Sequence, residues 1–318
     1  MNTKKFEIIG KDLSNEERGV FSERVREGII KSEERLDGEL EKTELEIKMV
    51  GLINKYLKQE LAGLDLEYEE VRPNQLHVFS PESFEKHFPG LHYNAFYHSA
   101  NDQIYIRRGT QANELEYFKQ VFHETIHLVS FHKFLVDKKS DRTGTYRLGY
   151  ANTDPRLESD TFSGLNEAVV DKIAMDATFK NNKEIISTLE ADKDKQTVTT
   201  WYPRQLEVLD IILRKVAAVS GEDIVEVWKK FKYGEFHGNM MYLRNIEKAL
   251  GKGGLRIIAM LPAGRSPDEL SLIKDIMGYL NIDDKKSREK MAQQILDKNL
   301  EKQLVRVGSV RLGSLQTK

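Results

Sequence analysis

The chain of 318 residues contains no cysteine. Disulfide frameworks, thiolate metal sites and cysteine nucleophiles are therefore excluded, and a metal has to be held by histidine and carboxylate. An excess of charge of either sign is also missing: 49 Lys and Arg face 51 Asp and Glu, a formal net charge of −2. That balance gives no reason to expect nucleic acid or an anionic membrane as a partner. No uninterrupted apolar run approaches the length that spans a bilayer. No apolar stretch follows Lys4-Lys5, so a soluble cytoplasmic protein without a signal peptide is expected. Internal repeats are lacking, and Gly251-Lys252-Gly253-Gly254 does not have the strand–loop–helix pattern of a phosphate loop.

Against that plain background stands Val121-Phe122-His123-Glu124-Thr125-Ile126-His127-Leu128. Residues four apart share one helix face, so His123 and His127 can reach one metal ion, with Glu124 beside them to hold a water. Two neutral imidazoles suit Zn²⁺, and a catalytic zinc takes three protein ligands and keeps one open position. The surrounding residues Phe118, Val121, Phe122, Ile126, Leu128 and Val129 are apolar, so two histidines and a glutamate need a reason to be buried there.

The helix carrying the motif is expected from Asn113 to about Leu135, with His132 inside it but turned away from the metal face. Ahead of it, Ser14-Asn15-Glu16-Glu17 reads as a capping box opening a charged helix. A second helix is expected from Glu44 to Leu61, and a short one from Pro81 behind Ser80. Strands are expected at Leu64 to Tyr68, Leu76 to Phe79 and Gln103 to Arg107. If the last of these is a sheet edge lining the cleft, an extended peptide can pair with it. Thr143 to Tyr150 suggests a hairpin, and four further helices are expected at Ile224 to Phe231, Met240 to Leu250, Pro267 to Leu280 and Ser287 to Leu300. The tail from Leu304 alternates apolar and polar residues in the manner of a terminal strand or a disordered end. Residues 1–43 then form a charged helical arm, 44–190 and 191–303 two subdomains, and 304–318 a tail.

Ser163-Gly164-Leu165-Asn166-Glu167-Ala168-Val169-Val170-Asp171 opens another helix, with Leu165, Val169 and Ile173 at helical spacing. Glu167 and Asp171 lie four apart near that apolar face, and carboxylates aimed inward need a cation or hydrogen-bond donors. Glu158 and Asp160 are alternative metal ligands, in loop-like sequence.

His-Glu-x-x-His followed by Asn-Glu-x-x-x-Asp resembles the gluzincins, the thermolysin-like zinc metallopeptidases, over about Asn101 to Val216. The resemblance implies that Glu167 is the third zinc ligand. It also implies that Asp171 accepts a hydrogen bond from the far nitrogen of a ligand histidine, His123, fixing its tautomer. Ser130 and Lys133 stand where the metzincin pattern needs Gly and His, which excludes that family. In aminopeptidase-type gluzincins a tyrosine opening a helix after the third ligand steadies the oxyanion, and Tyr202 is similar in placement; Tyr146, Tyr150 and His237 compete for the role. The Gly-x-Met-Glu-Asn segment by which aminopeptidases bind a free amine is missing, which favours endopeptidase action.

The expected protein is thus an α+β, mainly helical zincin-like metallopeptidase with a small twisted sheet, the active helix and a helical C-terminal half. One zinc ion held by His123, His127 and Glu167 would activate water, with Glu124 as general base, to hydrolyse a peptide or protein substrate. The alternative is a catalytically silent zincin-fold zinc-binding regulator or peptide-binding module.

Overall fold

Apolar residues at helical spacing, bounded by capping side chains, account for most of the architecture. The computed structural model describes residues 6–138, 142–154 and 159–315. In chain order its elements are β1 (Phe6–Ile9), α1 (Asn15–Lys31), α2 (Glu44–Ala62), β2 (Leu76–Phe79), α3 (Pro81–His87), β3 (Ala95–His98), β4 (Gln103–Arg107) and α4 (Glu114–Val129). There follow β5 (His132–Asp137), β6 (Arg142–Leu148), β7 (Ala151–Asp154), β8 (Ser159–Thr161), α5 (Ser163–Lys180) and α6 (Asn182–Thr188). The rest is helical: α7 (Pro203–Ser220), α8 (Ile224–His237), α9 (Arg244–Leu250), α10 (Gly254–Ala259), α11 (Pro267–Leu280) and α12 (Lys285–Leu315). Ser14, Ser80, Asn113, Asp223 and Ser266 each accept a backbone N–H from the first turn of the helix they precede. The coarse expectation of a mainly helical α+β chain holds: helices take 59% of it, beside two small mixed sheets.

The first sheet has the order β1-β5-β6-β7-β8, parallel only between β1 and β5. The second has the order β2-β4-β3, with β2 parallel and β3 antiparallel to β4. One buried apolar cluster runs from Met49 on α2 to Ile295 on α12, joining helices from both sides of the segment 191–199. A separate small cluster of Ile8, Leu13, Phe21, Phe134 and Val136 ties β1 and α1 to β5. Among the described residues no helix is long and apolar enough to cross a membrane.

Several sequence expectations need correction. The motif helix stops at Val129, because Ser130 is extended at ψ 163 while its backbone N–H closes on the Ile126 carbonyl at 2.9 Å. His132 accordingly opens strand β5 and is not in the helix. Phe134 and Val136, two apart, are its buried face. Leu64 to Tyr68 is not a strand: Asp65 takes φ 57 and Leu66 N bonds back to Leu61 O at 2.9 Å, closing the end of α2. Gln103 to Arg107 is a strand but the central one, so the edge available to a peptide is β3. Thr143 to Tyr150 does not fold on itself; β6 pairs with β5 and β7, and the turn falls at Gly149-Tyr150. The chain after Leu304 continues α12 as far as Leu315.

Candidate metal centre

Helix α4 has no solvent face: every residue from Leu115 to Leu128 is buried. Its polar residues must therefore find partners inside the protein. His123 and His127, one turn apart, have ring centroids 5.0 Å apart. Helix α5 brings Glu167 between them, with its Oε2 3.2 Å from His123 Nε2 and 3.5 Å from His127 Nε2. Among the described residues this is the one cluster of three or more His, Asp or Glu groups arranged to hold a metal ion, its ligand atoms all within 4.8 Å of one another.

The residues fit a zinc ion in kind as well as in place. Two imidazole nitrogens and one carboxylate oxygen are a known catalytic donor set. Behind them, Asp171 Oδ1 lies 3.5 Å from His123 Nδ1, a buried nitrogen with no hydrogen-bond partner in the metal-free arrangement. Asn166 Nδ2 lies 3.5 Å from His127 Nδ1, while its Oδ1 accepts from Tyr150 N at 2.7 Å. These contacts are long for hydrogen bonds, yet they set one polar group behind each histidine.

Charges within the cluster interact strongly. Burial alone would depress His123, but the Asp171 and Glu167 carboxylates outweigh it and raise its pKa to about 9. His127 is also raised, with burial opposing and Glu167 prevailing. Burial would raise Glu167, but the two histidines hold it far below the ordinary carboxylate range. Glu124 is raised, by burial first, though both histidines oppose. The backbone N–H of Tyr97 on β3 is the last and smallest of the groups that oppose the rise.

Tyr202 caps α7 and stacks on His123, with ring centroids 5.7 Å apart and planes within 17°. Burial, then Glu167 and Glu124, push its pKa far up, so it stays a hydrogen-bond donor. The preceding residues are fastened to α4. Glu116 accepts from Thr199 N at 2.9 Å, Thr199 Oγ1 at 3.1 Å and Trp201 Nε1 at 2.8 Å. Lys119, wholly buried, reaches Asp171 Oδ1 at 2.5 Å and Thr199 O at 3.1 Å and lies 3.8 Å over the Trp201 ring. Thr200 Oγ1 donates to Asp171 Oδ2 at 2.7 Å.

The expected residues His123, Glu124, His127, Glu167, Asp171 and Tyr202 are thus gathered in one place. The rival oxyanion donors are not. Tyr150 is fully buried and donates to Phe231 O at 2.8 Å, and His237 is exposed and stacks on Tyr233. Tyr146, on β6, makes no hydrogen bond or ring contact among the described residues. Asp160 is exposed on β8, and Glu158 lies outside the described residues.

Sequence reasoning missed Glu116 and Lys119, although they stand seven and four residues before His123 and so share its helix face. It also missed Tyr97 and Glu235, for which the sequence holds no local signal. Comparison of the chain with protein-family models, with curated proteins and with solved structures finds no match.

Proposed function

We propose that this chain is a zincin-like zinc metallopeptidase of the gluzincin kind, cleaving peptide bonds and acting as an endopeptidase. The observation that carries the proposal is the convergence of His123, His127 and Glu167 within 4.8 Å beside a buried Glu124. A zinc ion held by those three would supply Lewis acidity toward a water and a carbonyl oxygen.

The protein's own groups do the rest. Glu124, its pKa raised by burial, is placed to take a proton from the attacking water and pass it to the leaving amine. Tyr202 keeps its proton and donates to the oxygen on which charge develops. Asp171 and Asn166 hold the two imidazoles in orientation. The substrate pairs with β3. The Asn94 carbonyl accepts from Arg107 N on β4 and the His98 carbonyl from Asp102 N in the turn, so the backbone groups of Ala95 and the carbonyl of Tyr97 face outward.

Glu124→Gln is the test. The variant should retain zinc at the wild-type ratio and lose roughly 10²- to 10⁴-fold in cleavage of a proteome-derived peptide pool followed by mass spectrometry. Cleavage at the wild-type rate would refute the mechanism. A wild type that binds zinc and cleaves nothing would leave a zinc-binding regulator or peptide-binding module in its place.

A further inference from the structure

The two sheets are joined by a hydrogen-bonded chain whose ends, Asp102 and His132, are buried. The Tyr97 hydroxyl on β3 lies 2.6 Å from Asp102 Oδ1 and 2.6 Å from His132 Nε2 on β5. His132 is 1% exposed, and its Nδ1 lies 2.7 Å from the carbonyl oxygen of Ser130.

Protons can be counted along this chain. A carbonyl oxygen only accepts, so His132 Nδ1 carries a hydrogen. Each of the two 2.6 Å contacts needs one more hydrogen between its heavy atoms, and the phenol brings only one. The second belongs to His132 Nε2 or to Asp102. An imidazole ordinarily holds its proton about 2.6 pK units more strongly than an aspartate does.

We propose that His132 is a buried imidazolium whose counter-ion, Asp102, is reached through the Tyr97 hydroxyl, and that this three-residue chain is the positioning device for Glu124. Tyr97 then accepts from His132 and donates to Asp102. Burial and the Asp102 carboxylate keep the phenol from ionising. Gln75 Nε2 on the far side of Asp102, at 3.4 Å, is a further donor to the carboxylate.

Among the described residues, the charged groups on the neighbouring elements have partners of their own. On β1 and β5, Glu7 pairs with Lys133 at 2.7 Å. From β6, Arg147 donates to Gly149 O and Gly238 O. From α8, Glu235 accepts from Ser130 Oγ at 2.6 Å. From α4, the Glu124 carboxylate has the Tyr97 N–H on its side.

The link to Glu124 is the Tyr97 backbone. β3 has four residues and no strand on its outer side among the described residues. β3 packs on α4, and the anchored phenol holds that strand, with the Tyr97 N–H on the side of the Glu124 carboxylate. This last role rests on the peptidase reading; the proton on His132 does not.

The test uses the zinc-loaded full chain with ¹⁵N-labelled histidine, the His132 signal being identified by its loss in His132→Gln. At pH 7 both ring nitrogens of wild-type His132 should carry protons. In Tyr97→Phe and in Asp102→Asn, His132 should keep one proton, on Nδ1. A singly protonated wild-type ring overturns the imidazolium whether or not the chain cleaves peptides. Amide exchange then tests positioning. Exchange at residues 95–98 should quicken about tenfold in Tyr97→Phe, with melting little changed. Unchanged exchange there overturns the positioning role. On substrate the same variant should lose about tenfold in kcat, with KM and zinc content held. Unchanged kcat in a cleaving enzyme would again overturn it. If the wild type cleaves nothing, the peptidase reading fails, and the spectra and the exchange still decide the chain.

Discussion

Glu235 ends α8 with its side chain wholly enclosed, one oxygen accepting from Ser130 Oγ and the other without a hydrogen-bond partner. Burial raises its pKa to about 7, against the pull of Ser130, His127 and Arg147. The ordinary value is 4.5. A raised folded value means that the stabilisation is whole below 4.5 and lost as pH rises through about 7. The difference corresponds to about 3 kcal/mol. Glu235→Gln keeps an acceptor for Ser130 and cannot ionise. The melting temperature of metal-free wild type should therefore fall relative to that variant between pH 5 and pH 8. A constant difference between the two across that range would count against the buried acid. Glu235 meets Ser130 across 105 residues of chain, and that distance is why no spacing rule points to it.

Among the elements, α4 and the segment 199–202 behave as one piece, because Glu116 and Lys119 fasten the segment to the helix that bears the histidines. The Lys119–Asp171 pair is buried completely on both sides. Lys119→Met matches the lysine in length but leaves Asp171 without its cation, and should cost about 3–5 kcal/mol in denaturant unfolding. A loss below 1 kcal/mol would mean that His123 and Thr200 suffice as partners. The sequence revealed the motif helix, the Glu167–Asp171 helix and Tyr202, because a four-residue spacing and a helix-opening proline are local signals. It did not reveal β5, whose Phe134, Leu135 and Val136 continue the apolar character of α4 without its period, nor β1, whose four residues become a strand only through pairing with β5. Glu116 and Lys119 looked like ordinary polar helix positions because nothing in the sequence says that α4 is covered on all sides.

At the scale of the whole molecule, two of the three apolar clusters divide the labour. The large one holds the metal-bearing helices, while the small one holds β1 and α1 on β5. Removing residues 1–12 deletes Ile8 from the small cluster and the Phe6–Phe134 edge-to-face contact at 5.5 Å. It also turns β5 into a bare sheet edge. Such a chain should still bind zinc stoichiometrically but melt lower and self-associate, as read by calorimetry and light scattering. Loss of zinc binding would show that the two clusters are coupled.

A helix with no solvent face leaves evolution little latitude. Along α4, any residue changed to alter chemistry is also a residue of the core, with fourteen consecutive buried positions serving both ends. Divergence in substrate preference then has to be written elsewhere, on β3 and around Tyr202, where side chains border the centre without building it. Related chains would be recognised by an almost unvarying α4 and a fixed Tyr97, beside drift at exposed β3 positions such as His98.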